Sequence, residues 1–453
     1  MTAPASPQLR HDALVLLGLW LAGVLLDLAW VQQHQLPPAW DQGDHLSRAL
    51  GFWQVLQTIQ PLQSEWWHQL WAQAPSYRGP FTYLITAPLF SLLGPGYGTA
   101  MLSNSLFQAL LLASLYGQGR LAGQRAAGLW GAGLAAVAPA LLNQRTDYLI
   151  DFSLTAVITA CWLLLSWRHL GQPRRPWLAA ALAGIALGLL LLTRPTVVLL
   201  LWLPLLWLLG RAIRELLRGG RGLLAEAGLA AGLAWLVAGG WFSQNWLTIL
   251  STVNNARRWG VLYQEGLEAN SLEGWLYYPR LLPSMAGAWL VGLVLVGWLL
   301  SCWQVGRWPR LPATAELRWR LAWWLSFPLG ALLLASLMST KDFRFVLPLL
   351  PQLLLGLGLL IAGARRWLQG AVLLLAISGL LSSQFGIGPN LTGFATHLPK
   401  RGESWPLAEI VATIRRQSPQ QLSTLAVLPD SEFLNAFNLE AEGRRQQFRV
   451  AAR

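Results

Sequence analysis

Long apolar runs recur along almost the whole chain, with very little charge inside them. A helix needs roughly 20 apolar residues to cross the ~30 Å of hydrocarbon in a bilayer, and it must satisfy its backbone hydrogen bonds internally. Eleven runs meet or approach that length: 13–31, 99–116, 128–142, 152–167, 177–192, 196–209, 223–241, 286–302, 321–338, 345–362 and 367–381. Of the 453 residues, 54% are hydrophobic and only 12% are charged. Soluble domains carry about 25% charge, so an ordinary soluble enzyme, a coiled coil and a disordered chain are all excluded. The expected fold is an all-α polytopic membrane protein with about eleven transmembrane helices. The first run is followed by Gln32-Gln33-His34, a poor cleavage site, and reads as a retained span. Many of the 27 tryptophans flank apolar runs, which suits a membrane interface.

The run 81–93 is short and contains Pro88, as interfacial or re-entrant segments do. The positive-inside rule decides its side. With 81–93 kept on the outer face and the N-terminus inside, short cytoplasmic loops hold arginines 10, 120, 125, 168, 174, 175, 211, 214, 218, 221, 307, 310, 318, 320, 365 and 366. Counting 81–93 as a span inverts every later loop and destroys that bias. The basic residues occur in short bursts between apolar runs, so the net charge of +13 points to loop topology and not to nucleic acid. Acidic residues gather on the outer side: Asp41, Asp44, Glu65, Asp147, Asp151, Glu265, Glu268, Glu273 and Asp342. Orientation does not require this, so it suggests a functional site on that face.

Two units follow. Residues 1–382 form the membrane domain, whose long first outer loop, 32–98, carries a Trp-rich interfacial helix near Glu65–Trp71. Residues 383–453 read as a small extracytoplasmic α/β module: a helix over 405–416, a strand over 422–428, a helix over 431–443 and a strand over 447–451. Two strands are marginal alone, so the module either continues beyond this sequence or packs on the membrane domain.

Three constellations bear on chemistry. Asp41 and Asp44, followed by His45, fall within one helical turn of each other, where they are either a general base and hard-cation ligands or helix-capping carboxylates in a solvated loop. Arg145 and Asp147 to Asp151 sit at an outer mouth, as a polar site or as a salt bridge from Arg145 to either aspartate. Arg78, Arg194, Lys341 and Arg344 stand at outer ends of apolar runs, suited to phosphate oxygens or to headgroup snorkelling. The six histidines show no metal-ligand spacing, Cys161 and Cys302 form no framework, and no nucleotide-binding motif is present.

Five elements, in order from Asp41 to Pro351, resemble membrane glycosyltransferases of the GT-C superfamily, nearest to the family 39 group of protein O-mannosyltransferase and aminoarabinose transferase type. They are Arg78-Gly-Pro-Phe-Thr-Tyr-Leu-Ile-Thr-Ala-Pro-Leu-Phe-Ser-Leu-Leu-Gly94; Gly117-Gln-Gly-Arg-Leu-Ala-Gly-Gln-Arg125; Ala138-Pro139 with Arg145 and Tyr148-Leu-Ile-Asp151; the segment 184–195, with Arg194 in place of the usual Lys; and Lys341-Asp-Phe-Arg344-Phe-Val-Leu-Pro348-Leu-Leu-Pro351. The resemblance implies transfer of a sugar from a polyprenyl-phosphate donor on the extracytoplasmic face to a lipid, glycan or protein acceptor. It implies Asp41 as catalytic base with Asp44 second, although Gln42 replaces the Glu expected after Asp41. Asp151 matches the family's second acidic position. Arg78, Lys341, Arg344 and Arg194 would hold the donor phosphate. A divalent cation at Asp41 and Asp44 is permitted by the spacing and not demanded by it; no other cofactor is implied. The expected setting is a bacterial inner membrane, with the N-terminus cytoplasmic and the C-terminus outside. A secondary transporter would fit the span count, but its charges should lie near the midplane within internal repeats. An oligosaccharide ligase or polymerase acting on lipid-linked glycans is the nearer alternative.

Overall fold

The computed structural model describes residues 7–75, 78–171, 173–262, 267, 271–305, 314–402, 405–418, 422–427 and 430–452. Glu265, Glu268, Arg307, Arg310 and Leu428 lie outside them. Helices cover every expected span, but not as eleven straight rods. Among the described residues, seven helices are long and apolar enough to cross a bilayer, or nine if each of two bent pairs counts as one span. The other two expected spans are Asp151–Leu170, which carries Asp151 and Arg168 near its ends, and the shorter Leu347–Ala362. The chain is an integral membrane protein.

The bends have local causes. Arg125–Val137 and Pro139–Thr146 meet at 54°. Pro139 has no N–H to continue the ladder and drives Ala138 to an extended conformation, φ −63° and ψ 128°. Leu272–Ala286 and Ala288–Gln304 meet at 93° around Gly287, whose φ of 103° a side chain would resist. The expected short run is a 13-residue helix, Phe81–Leu93, with Pro88 inside it. Its buried Thr82 and Thr86 hydrogen-bond with Ser153 and Tyr148 at 2.6 and 2.8 Å.

Tryptophan plays a second part beside the interfacial one. Trp30, Trp162, Trp241 and Trp323 are fully buried. Trp162 and Trp323 stack at 4.9 Å, and the Trp323 indole N–H donates to Ser166 Oγ at 2.9 Å. That bond satisfies the one polar atom of a ring otherwise buried among apolar neighbours.

The C-terminal segment forms the helices Leu407–Gln417 and Ala436–Arg445 and two strands, Leu422–Leu425 and Arg449–Ala452, which pair in parallel. Its small core is Val411, Leu439, Phe448 and Val450. It lies against the membrane domain: Asn438 Nδ2 donates to the Pro38 carbonyl at 2.8 Å, and Gln54 Nε2 donates to the Arg444 carbonyl at 2.8 Å.

Of the two readings of Arg145, a polar site or a bridge to Asp147 or Asp151, the structure shows a bridge, but to a different aspartate. Arg145 is buried and meets Asp27, in the first spanning helix, at 2.6 Å. A charge in an apolar bundle needs an opposite charge, and each of these two side chains supplies the other's. Arg145→Ala leaves a buried carboxylate alone, so stability should fall by about 3–5 kcal/mol. Thermal unfolding in detergent should show the Asp27→Asn/Arg145→Gln double variant losing less than the two single losses added together; strict additivity would mean the two residues act independently.

Candidate active site

The helix Asp41–Leu56 opens with Asp41 and carries Asp44 in its first turn. Two carboxylates there complement the unpaired N–H groups of the helix start. The residue before it, Trp40, has φ 44°, which is rare for a side-chain-bearing residue, and its N–H donates to the Glu432 carbonyl at 3.1 Å. Backbone strain of this kind costs on the order of 1–3 kcal/mol and concentrates at functional sites. Here the C-terminal segment helps to hold it.

Arg78 joins the two carboxylates. Its Nη2 meets Asp41 Oδ2 at 2.8 Å and its Nη1 meets Asp44 Oδ2 at 2.7 Å. The next residue makes this approach feasible. Gly79 donates its N–H to the Thr193 carbonyl at 3.0 Å, and a Cβ at Gly79 would lie 1.9 Å from the Leu192 carbonyl oxygen. Only glycine fits, and the contact brings Arg78 beside the segment that carries Arg194. Arg48, one turn after Asp44, adds a second guanidinium to the same oxygen at 2.9 Å. Asp44 is thus doubly clamped and its side chain is 11% exposed, whereas that of Asp41 is 43% exposed.

Asp151 begins the helix Asp151–Leu170 and meets Arg194 Nη1 at 3.3 Å. Arg344 is held by Asp342, with Nε to Oδ2 at 2.8 Å. Burial works against its charge, but the fields of Asp151, Asp342 and Asp41 outweigh that and hold its guanidinium above its ordinary pKa. His45 reports the same gathering from beneath. It is buried, with Nδ1 2.6 Å from Tyr83 Oη. Burial, then the charges of Arg78, Arg48, Arg344 and Arg194, hold its imidazole well below the usual histidine range. Asp41, Asp44, Asp151, Arg78, Arg194 and Arg344 therefore share one cluster.

Lys341 is placed differently. Its Nζ donates to the carbonyls of Ala335 and Ser336 at 3.3 and 2.8 Å and lies 5.2 Å from the centre of the Tyr278 ring. The free carbonyls at the end of the helix Ala315–Leu337 attract it. Asp147 also stands aside from the arginines: it accepts from Gln42 Nε2 at 3.0 Å and lies 3.3 Å from His397 Nε2. Arg48 is the cluster member the sequence reading did not single out. Its spacing of four residues from Asp44 on a helix was the available signal.

Asp41 and Asp44 do not make a good cation site in this arrangement. The oxygens facing one another are bridged by the Arg78 guanidinium, a positive group already in that position. Among the described residues no group of three or more His, Cys, Asp or Glu side chains converges as metal ligands would.

No protein-family model matches the chain, and no curated protein matches it either. Solved structures do. ArnT from Cupriavidus metallidurans bound to undecaprenyl phosphate matches with a TM-score of 0.54 and 17% identity, over 98% of this chain and 76% of that one. ArnT in the apo state matches with a TM-score of 0.53 and 18% identity, over 84% and 65%. The oligosaccharyltransferase of Archaeoglobus fulgidus in the apo form matches with a TM-score of 0.53 and 11% identity, over 96% and 64%. All are GT-C membrane glycosyltransferases. This chain has the GT-C fold. It spans about three quarters of the ArnT chain bound to undecaprenyl phosphate and less than two thirds of the archaeal enzyme. At 11–18% identity the likeness is one of fold, and it does not single out family 39.

The state of His45 has a measurable consequence. Folded His45 stays neutral where an unfolded histidine takes up a proton, so the unfolded state binds more protons below the ordinary histidine pKa. Stability should fall with acidification below about pH 6.5, by up to about 1.4 kcal/mol per pH unit from this residue. Unfolding of His45→Gln across pH 5–7 should show a shallower acid slope; an unchanged slope would place the effect elsewhere.

Proposed function

We propose that this protein is a glycosyltransferase that moves a sugar from a polyprenyl-phosphate donor to an acceptor hydroxyl at the membrane face that carries Asp41. The observation behind this reading is the cluster itself. Arginines 48, 78, 194 and 344 surround three carboxylates beside the ends of apolar helices, and Asp41 is the carboxylate most open to solvent. A lipid phosphate at headgroup depth meets guanidinium groups there, and an acceptor hydroxyl meets Asp41. Undecaprenyl phosphate, a polyprenyl phosphate, is bound in the ArnT structure, which supports that donor class here. The likeness to an archaeal oligosaccharyltransferase supports the second reading, a lipid-linked oligosaccharide donor.

The chemistry needs no nucleotide. The acceptor oxygen attacks the anomeric carbon as its proton passes to Asp41, and the bond from the sugar to the lipid phosphate breaks. A single displacement inverts the anomeric centre. The departing phosphate gains negative charge, which Arg78, Arg194 and Arg344 stabilise without reorganising. Asp44 is held by two guanidiniums and serves to position Arg78; Asp151 does the same for Arg194. This route uses no divalent cation, because Arg78 already bridges Asp41 and Asp44. The positive-inside bias places this face outside the cytoplasm, with a bacterial inner membrane as the setting.

Purified protein incubated with a panel of polyprenyl-phosphate sugars together with lipid, glycan and peptide acceptors should release lipid phosphate with at least one pairing. Asp41→Asn should lower that rate by about 10²–10⁴-fold while donor still binds. Arg78→Ala should raise the donor KM and also disturb Asp41. Unchanged transfer by Asp41→Asn would remove it as the base. No release from any donor would defeat the proposed activity.

A further inference from the structure

A second cationic site lies at the other end of the bundle. The helix Asp151–Leu170 starts in the candidate active site and, 20 residues later, ends beside His169. At 1.5 Å per residue that is about 30 Å, the thickness of the hydrocarbon layer. The segment from Pro195 to Leu217 follows Arg194 and leads to Arg211 and Arg214. The helix Ala315–Leu337 precedes the segment that carries Arg344, and Arg320 lies near its start. At their far ends these three elements line an open cavity of about 610 Å³, with Arg211, Arg214 and Arg320 among its walls.

The cavity is built for an amphiphile with a negative head. One acid, Glu316, lines it against three arginines, and it is held by Arg320 at 3.1 Å. Arg211 Nη1 donates to His169 Nδ1 at 2.5 Å, which fixes that guanidinium at the wall. The rings of Trp207 and Trp319 pack edge to face at 5.0 Å and form an aromatic side. Beside it the same helices expose Leu206, Leu209 and Leu317, each more than half accessible. Leucines in that position face acyl chains, so a head bound at the arginines has its tails alongside. Arginine forks pair with phosphate oxygens, and basic pockets between transmembrane helices take anionic lipid heads. A free anion would use the arginines and leave the leucine rim idle.

We propose that this cavity binds the phosphate headgroup of an anionic phospholipid in the leaflet opposite the active site. The proposal is independent of the reaction catalysed. Delipidated full-length protein would be titrated with phosphatidylglycerol or phosphatidylcholine, and retained lipid measured by native mass spectrometry. Wild type should retain phosphatidylglycerol about tenfold better, and Arg214→Gln/Arg320→Gln should lose that preference. Arg214→Lys/Arg320→Lys should restore most of it, because an ammonium still pairs with phosphate. Arg214→Gln alone, at an exposed helix position, repeats the measurement if the double variant does not fold. Equal retention of the two lipids by wild type, or an unchanged preference in the glutamine variants, would overturn the proposal. Displacement of the lipid by excess inorganic phosphate would make this a free-phosphate site and would overturn it too.

Discussion

Arginine paired with aspartate is the interaction on which this molecule turns. The bundle is apolar over most of its length, and an unpaired charge within it is expensive. The ion pairs therefore decide which segments can lie together. Arg145 with Asp27 ties the first spanning helix to the bent pair that ends at Thr146. Arg194 with Asp151 ties the ends of two later helices. Arg78 with Asp41 and Asp44 folds the first long loop back over both. The same pairing lies deep in the bundle in the first case and in the candidate active site in the others. The difference is access: the Arg145 side chain is 2% exposed, and that of Asp41 is 43% exposed.

The backbone makes those meetings possible. Gly79 lets two chain segments touch so closely that the arginines adjacent to the contact, Arg78 and Arg194, share one pocket. The strained Trp40 and its bond to Glu432 link the C-terminal segment directly to the residue before Asp41. The small α/β segment is thus part of the wall behind the candidate base. Its two-stranded sheet, marginal alone, is supported by packing against the first long loop.

Much of the fold could be read in advance. Apolar runs of span length, the short run holding Pro88 and the alternation of elements after residue 405 all correspond to elements of the structure, within a few residues. The gathering of Asp41, Asp44, Asp151, Arg78, Arg194 and Arg344 on one face followed from the loop sides. Lys341 was misjudged because its neighbours in sequence are site residues, whereas the nearest acceptors in space are carbonyls at a helix end. The partner of Arg145 was not legible, because the bridge weighed for it lay within its own loop, while Asp27 lies 118 residues away. Buried tryptophans escaped notice because an indole in or beside an apolar run looks the same whether it faces lipid or the core.

The amino-acid pattern by itself determined that this chain crosses a membrane as helices, since hydrocarbon admits no other way to satisfy the backbone of an uncharged apolar run. It also set the expectation that the carboxylates share one face, because the loop sides follow from the alternation of the spans. Tertiary structure alone decided which arginine holds which aspartate, and so which carboxylate stays open. Ion pairs act through space at about 3 Å, and residues brought that close come from segments that no sequence period relates.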